Sequence, residues 1–195
     1  MESLRKYILL TACLMFCGIS VSAQTMPGEF KKDGLSFSYP AGWSFNDTSD
    51  ADAQKLAIGR TDSEAQITVF VFRAPVTTPE KVAEAKRVLV DKYVASTRKQ
   101  FEEVDPHTTS SPATSTIGAV ASEGVRIRAS LDGVPGSAEI QWAVVEQRLV
   151  VLTFLGPDKS LTKAMPAWDL IRTTLKVEPP KPKTPQPAAS PKPTP

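Results

Sequence analysis

The sequence predicts a mixed α/β (α+β) fold, a three-layer α/β/α sandwich with a central, mainly antiparallel sheet of about six strands. Three observations carry this expectation. Several segments alternate apolar and polar residues at the period of a strand. Two others, Gln66–Arg73 and Leu149–Leu155, are apolar on both faces, as in a strand covered from both sides. Two long stretches repeat apolar residues at helical spacing, and one of them opens on a clear cap.

The chain of 195 residues begins with a basic end holding Arg5 and Lys6, an apolar run from Tyr7 to Val21, and Val21-Ser22-Ala23 before Gln24. Small residues at the last and third-last positions suit signal peptidase, so the reading is a secretory signal peptide over residues 1–23, cleaved between Ala23 and Gln24. The alternative is a lipoprotein attached at Cys13, because Leu10-Thr11-Ala12-Cys13 has the residue types of a lipid box. Cutting there leaves about six apolar residues before the cysteine, short of the roughly seven of a signal core. Both cysteines, Cys13 and Cys17, fall in this segment, so cleavage after Ala23 leaves a thiol-free domain that must be held by its core.

Residues 24–178 form one expected domain, long enough for a sizeable core. It holds 18 Lys/Arg against 20 Asp/Glu, a net of −2, and such a balance leaves no nucleic-acid footprint.

In chain order, Leu35, Phe37 and Tyr39 alternate with Ser36 and Ser38, giving a strand buried on one face. Pro40 and Gly42, as second and fourth turn residues, suit a type I turn returning Trp43 and Phe45 to the apolar side. Asn46 to Asp52 reads as a polar loop. Its Asp47, Asp50 and Asp52 lack the spacing, glycine and distal glutamate of a calcium loop. Lys55–Arg60 and Gln66–Arg73 are the next strands.

Thr78-Pro79-Glu80 starts a helix, with Thr78 as N-cap, Pro79 at the first position and an acid in the first turn. Val82, Ala85, Leu89, Tyr93, Phe101 and Val104 carry its apolar stripe to about Val104, with fraying expected near Ser96 and Thr97. Asp105–Ser115, with Pro106, Pro112 and many hydroxyls, reads as a loop. It contains His107, the sole histidine, which has no orienting partner or nucleophile in sequence and is read as an exposed loop residue.

Gly124–Leu131 and Ala138–Val145 alternate as a hairpin across Asp132-Gly133-Val134-Pro135. A four-residue loop pairs Ile127 with Ile140, Arg128 with Glu139 and Arg126 with Gln141. These four polar residues, Arg126, Arg128, Glu139 and Gln141, are the candidate partner-binding face. After a tight turn at Glu146 and Gln147 comes the apolar strand Leu149–Leu155. A second helix then starts at Asp158 or Ser160, is kinked or delayed by Pro166, and ends near Val177. Residues 179–195 hold eight prolines in seventeen residues and three lysines, a solvated polyproline tail.

The order of these elements resembles the PsbP-like family, with the related Mog-type and DcrB-type proteins, over roughly Phe30 to Val177. GLSFSYPAGW is similar to the family's strand-Tyr-Pro-x-x-Trp opening, and WDLIRTTLKV to its final helix. The resemblance implies an α/β/α sandwich in a mainly non-enzymatic group: extrinsic subunits of the oxygen-evolving complex, a Ran-binding nuclear protein and bacterial envelope proteins. Metal sites proposed for some photosynthetic members use histidine, and here His107 stands alone.

The expectation for function is a non-catalytic, exported (periplasmic or secreted) binding or accessory protein of the bacterial envelope. It is expected to be a monomer with no cofactor and no metal, membrane-peripheral at most, docking to an envelope protein or complex. The alternatives are a tether acting through the Pro/Lys tail, and a hydrolase using carboxylates such as Asp47, Asp50 or Glu123.

Overall fold

The computed structural model describes residues 27–180 apart from Asp132. The cleavage site at Ala23 and Gln24, both cysteines and the tail beyond Pro180 lie outside the described residues. A seven-stranded antiparallel sheet forms the middle layer, with strands Ser44–Asp47 (β3), Ala53–Gly59 (β4), Gln66–Pro75 (β5), Thr109–Ile117 (β6), Val120–Leu131 (β7), Val134–Val145 (β8) and Arg148–Pro157 (β9). Their order across the sheet is β3-β4-β5-β9-β8-β7-β6. One face carries the helices Pro79–Ala85 (α1) and Asp91–Val104 (α2), joined by a π-helical turn at Lys86–Val90. The other carries the helix Asp158–Thr174 (α3) and a small sheet of Gly28–Lys32 (β1), Leu35–Tyr39 (β2) and Lys176–Val177 (β10). The three layers are those read from the sequence.

Two apolar clusters, one on each face, follow from β5 and β9. In β9, Val150, Leu152 and Phe154 enter the cluster under α3 and the small sheet, while Leu149 and Val151 enter the one under α1 and α2. Trp168 of α3 stacks on Phe154 at 5.2 Å between ring centroids. Tyr93 of α2 meets Phe70 edge-on at 5.7 Å.

Several sequence expectations need correction. The aromatic strand β2 is not part of the central sheet; it belongs to the small sheet, and its Ser38 amide donates to Thr174 Oγ1 of α3. β1 and β3 are additional strands. In the turn, Pro40 is the first residue rather than the second, because Trp43 N–H donates to Pro40 O. Gly42 is third, at a φ of 78°, the positive angle that a type II turn requires there. Trp43 is buried, but Phe45 is exposed and packs edge-on against Phe30 and Tyr39.

Thr78 caps α1, accepting from Lys81 N, as predicted. The irregularity in the long helix is the π-turn, not fraying at residues 96–97: Thr97 is buried and donates to Tyr93 O at 2.9 Å. Val104, assigned to the core stripe, is exposed.

Thr109–Ile117 is a strand, not a loop, and forms the sheet edge beside β7. Proline and hydroxyl side chains suit an edge, where one side of the backbone needs no partner and a polar surface blunts further pairing. The second helix runs through Pro166 from Asp158 without delay and stops at Thr174, because Val177 is already in β10.

Candidate functional site

The β7–β8 register places Arg126 opposite Glu139, Val125 opposite Ile140, Ile127 opposite Ala138 and Arg128 opposite Ser137. The predicted pairs of Arg126 with Gln141 and Arg128 with Glu139 are therefore shifted by two. The cause is the turn: Leu131 pairs with Val134, so only two residues connect the strands, and Gly133 has the positive φ of 80° that such turns demand. Asp132 lies outside the described residues. A shift of two preserves the faces, so the polar set stays together.

That set forms a hydrogen-bonded row. Arg126 donates through Nε and Nη2 to Glu139 Oε2, and Gln141 Nε2 donates to Glu139 Oε1 at 3.0 Å. Gln141 Oε1 accepts from Ser122 Oγ at 2.9 Å. Gln141 is wholly buried, and the Glu139 side chain is only 14% exposed against 41% for Arg126. The two acceptor-bearing members thus orient Arg126, and the arginines present the surface. Arg128 is exposed and, among the described residues, has no acid within ion-pair distance. The row lies beside the first turns of α3, where Arg126, Arg128, Ser137, Asp158 and the exposed Met165 help line a cavity of about 220 Å³. Ser137 Oγ donates to Asp158 Oδ1 at 3.1 Å.

A larger recess lies at the opposite end of β8 and β9. Lys31, Lys32, Asp33, Arg73, Arg148 and Glu178 line a cavity of about 640 Å³ together with Gly34, Pro179 and Pro180. Arg148, 5% exposed, donates from Nε to Phe72 O at 3.1 Å and from Nη2 to Gln54 Oε1 at 2.8 Å, and both acceptors are neutral. Burial lowers its pKa, helped by the Arg73 charge and opposed by Asp33. Nothing in the sequence marked Arg148, because a basic residue after a turn reads as surface. Its burial follows from the tertiary approach of Gln54 and the β5 terminus.

The carboxylates considered for metal or hydrolytic chemistry are separated or occupied. Asp47 accepts from Lys32 Nζ at 2.7 Å and from Ser49 N, and Asp50 accepts from Lys55 Nζ at 2.6 Å and from the amides of Asp52 and Ala53. These bonds, led by the lysine in each case, hold both carboxyls at about 2. Glu123 lies on β7, five strand spacings from Asp47 on β3. That is about 24 Å, well beyond the roughly 10 Å limit for a hydrolytic carboxylate pair. His107 is exposed in the turn after α2, its amide donating to Asp105 Oδ1 at 2.8 Å. Among the described residues no helix is long and apolar enough to cross a membrane.

The architecture is an antiparallel sheet held between one layer of helices and one layer made of a helix and a small sheet. No protein-family model matches the chain, and no curated protein is similar to it in sequence. Among solved structures it is similar to the crystal structure of a protein from Bacteroides thetaiotaomicron VPI-5482, with TM-score 0.50 and 14% identity over 80% of this chain and 50% of that one. The chain therefore spans half the length of that protein. It is also similar to the solution structure of cyanobacterial PsbP (CyanoP) from Synechocystis sp. PCC 6803, with TM-score 0.48, 14% identity and coverage of 84% of this chain and 98% of that one. A third neighbour is LpqN, involved in cell envelope biogenesis of Mycobacterium tuberculosis, with TM-score 0.46, 13% identity and coverage of 79% and 90%.

Proposed function

We propose that the protein is a non-catalytic, exported binding protein that docks an acidic segment of an envelope partner on the Arg126–Arg128 face. One observation carries the reading. Arg126 is fixed by a carboxylate that buried Gln141 in turn holds, while its exposed neighbour Arg128 has no acid partner among the described residues. A pre-oriented guanidinium beside an open one suits recognition of carboxylates, because less rotamer freedom is lost on binding. The exposed Met165 across the cavity adds an apolar contact of the kind that adapts to different partners. Export rests on the sequence of residues 1–24.

Fluorescence anisotropy with a labelled glutamate-rich peptide tests the face. The expected result is saturable binding that weakens at least tenfold in Arg128→Glu and falls with salt, since rim charges act mainly through screened attraction. Binding that is absent, or equal in Arg128→Glu, would contradict the reading.

A further inference from the structure

The recess at the β1–β2 turn is independent of the Arg126–Arg128 face. Four cations and two acids line it, a net of +2. Two of the cations are already engaged: Arg73 donates to Asp33 Oδ2 at 3.1 Å, and Lys32 to Asp47 Oδ2 at 2.7 Å. Arg148 and Lys31 have no carboxylate within ion-pair distance among the described residues. For Lys31, exposed at the rim, that state is ordinary. For Arg148 it is not: a charge taken out of water without an opposite charge is costly, and proteins usually pair it. Its Nη1 makes no hydrogen bond among the described residues and is not among their fully enclosed unsatisfied atoms, of which Arg172 Nε is the one example.

The surroundings hold this guanidinium in place. Nε and Nη2 are tied to Phe72 O and Gln54 Oε1. Arg148 directly follows Glu146 and Gln147, both at positive φ (48° and 63°), a conformation that costs energy for residues other than glycine. Gln147 O accepts from Val76 N at 2.7 Å, fastening that turn to the end of β5. The guanidinium is thus fixed on two donors with the third nitrogen free.

We infer that this recess is a binding site for a dianionic phosphate group, held by Arg148 from below and by Lys31 from the rim. The planar guanidinium matches phosphate oxygens, and with Lys32 held by Asp47 and Arg73 by Asp33 the recess keeps a net charge of +1, Arg148 and Lys31 against Glu178, that favours an anion. The open cavity of about 640 Å³ leaves room for a phosphate that is part of a larger solute.

The test is calorimetric titration of the full chain with inorganic phosphate, glycerol phosphate and succinate at low ionic strength, with the Arg side-chain Nε–H resonances followed by NMR. Saturable one-to-one phosphate binding is expected, with glycerol phosphate at similar or higher affinity and succinate at least tenfold weaker. The Arg148 resonance should shift, and Arg148→Lys and Lys31→Glu should each weaken binding at least fivefold. Arg128→Glu should leave it unchanged, so failure here and failure of the docking face are separable. If Arg148→Lys does not fold, Lys31→Glu and the wild-type resonance still decide. No saturable heat, an unmoved Arg148 signal, equal binding of succinate, or loss of binding in Arg128→Glu would each overturn the assignment.

Discussion

Arg148 reaches over the end of β5 to place Nη2 within 2.8 Å of Gln54 Oε1 on β4, and Gln54 Nε2 in turn donates to Lys32 O of β1 at 2.9 Å. One side-chain amide therefore joins three strands and fastens the small sheet to the large one. Both Gln54 and Arg148 are buried, so neither water nor a neighbouring residue readily replaces a lost bond.

Gln54→Ala should accordingly destabilise the protein by about 2–4 kcal/mol, because it takes an acceptor from a buried cation and a donor from the part-buried Lys32 carbonyl at once. Urea denaturation followed by circular dichroism measures it. A loss under about 0.5 kcal/mol would mean that the link is dispensable.

The observed register makes Arg126 and Glu139 direct neighbours. A double-mutant cycle on Arg126→Ala and Glu139→Ala should give a coupling of about 0.5–1.5 kcal/mol, and the cycle on Arg128 and Glu139 should give none beyond error. The reverse pattern would support a four-residue loop.

Thr109–Ile117 pairs with β7 as an edge strand. Its inward-bonded amides should exchange with deuterium at least a hundredfold more slowly than an open loop, while alternate amides on the free side exchange fast. Uniformly fast exchange from Thr109 to Thr116 would contradict the pairing.

Acid should weaken the β3–β4 region through Asp47 and Asp50. Lysine hydrogen bonds, with amides and Ser49 assisting, lower both carboxyls from 3.8 to about 2. A folded value below the unfolded one favours the native state wherever the group is ionised. That stabilisation is complete above about pH 4 and is lost as pH falls toward about 2. Both side chains contact solvent, so the effect is modest and salt-screened. The melting temperature of wild type should fall more steeply across that window than that of the Asp47→Asn, Asp50→Asn double variant, and less so in 1 M salt, where screening acts over about 3 Å. Equal slopes would remove these groups from the account.

The sequence revealed the layers because period and composition are local signals. β5 and β9 are apolar on both faces and lie side by side in the middle of the sheet, and Thr78-Pro79 marked a helix start that Thr78 does cap. It hid what depends on contacts distant in sequence. The alternation of Leu35, Phe37 and Tyr39 is compatible with either sheet, and only packing against α3 decides between them. Serines, threonines and Pro112 resemble a loop until β7 supplies a ladder for one side of their backbone. The polar set Arg126, Arg128, Glu139 and Gln141 was legible as one face because a shift of two keeps side chains on the same side, yet its partners were not, because a turn of two residues instead of four moved the register. Arg148 was invisible, since its burial is made by residues from β4 and β5.

The most direct measurement is crosslinking from the proposed docking face in cells of the source organism. A photo-activated residue replacing the exposed Met165, which leaves both arginines in place, should give one discrete protein adduct that excess polyglutamate suppresses, while the same residue at the exposed Lys92 on α2 gives none. Identical adducts from both positions, or no adduct from position 165, would contradict a docking role for the Arg126–Arg128 face.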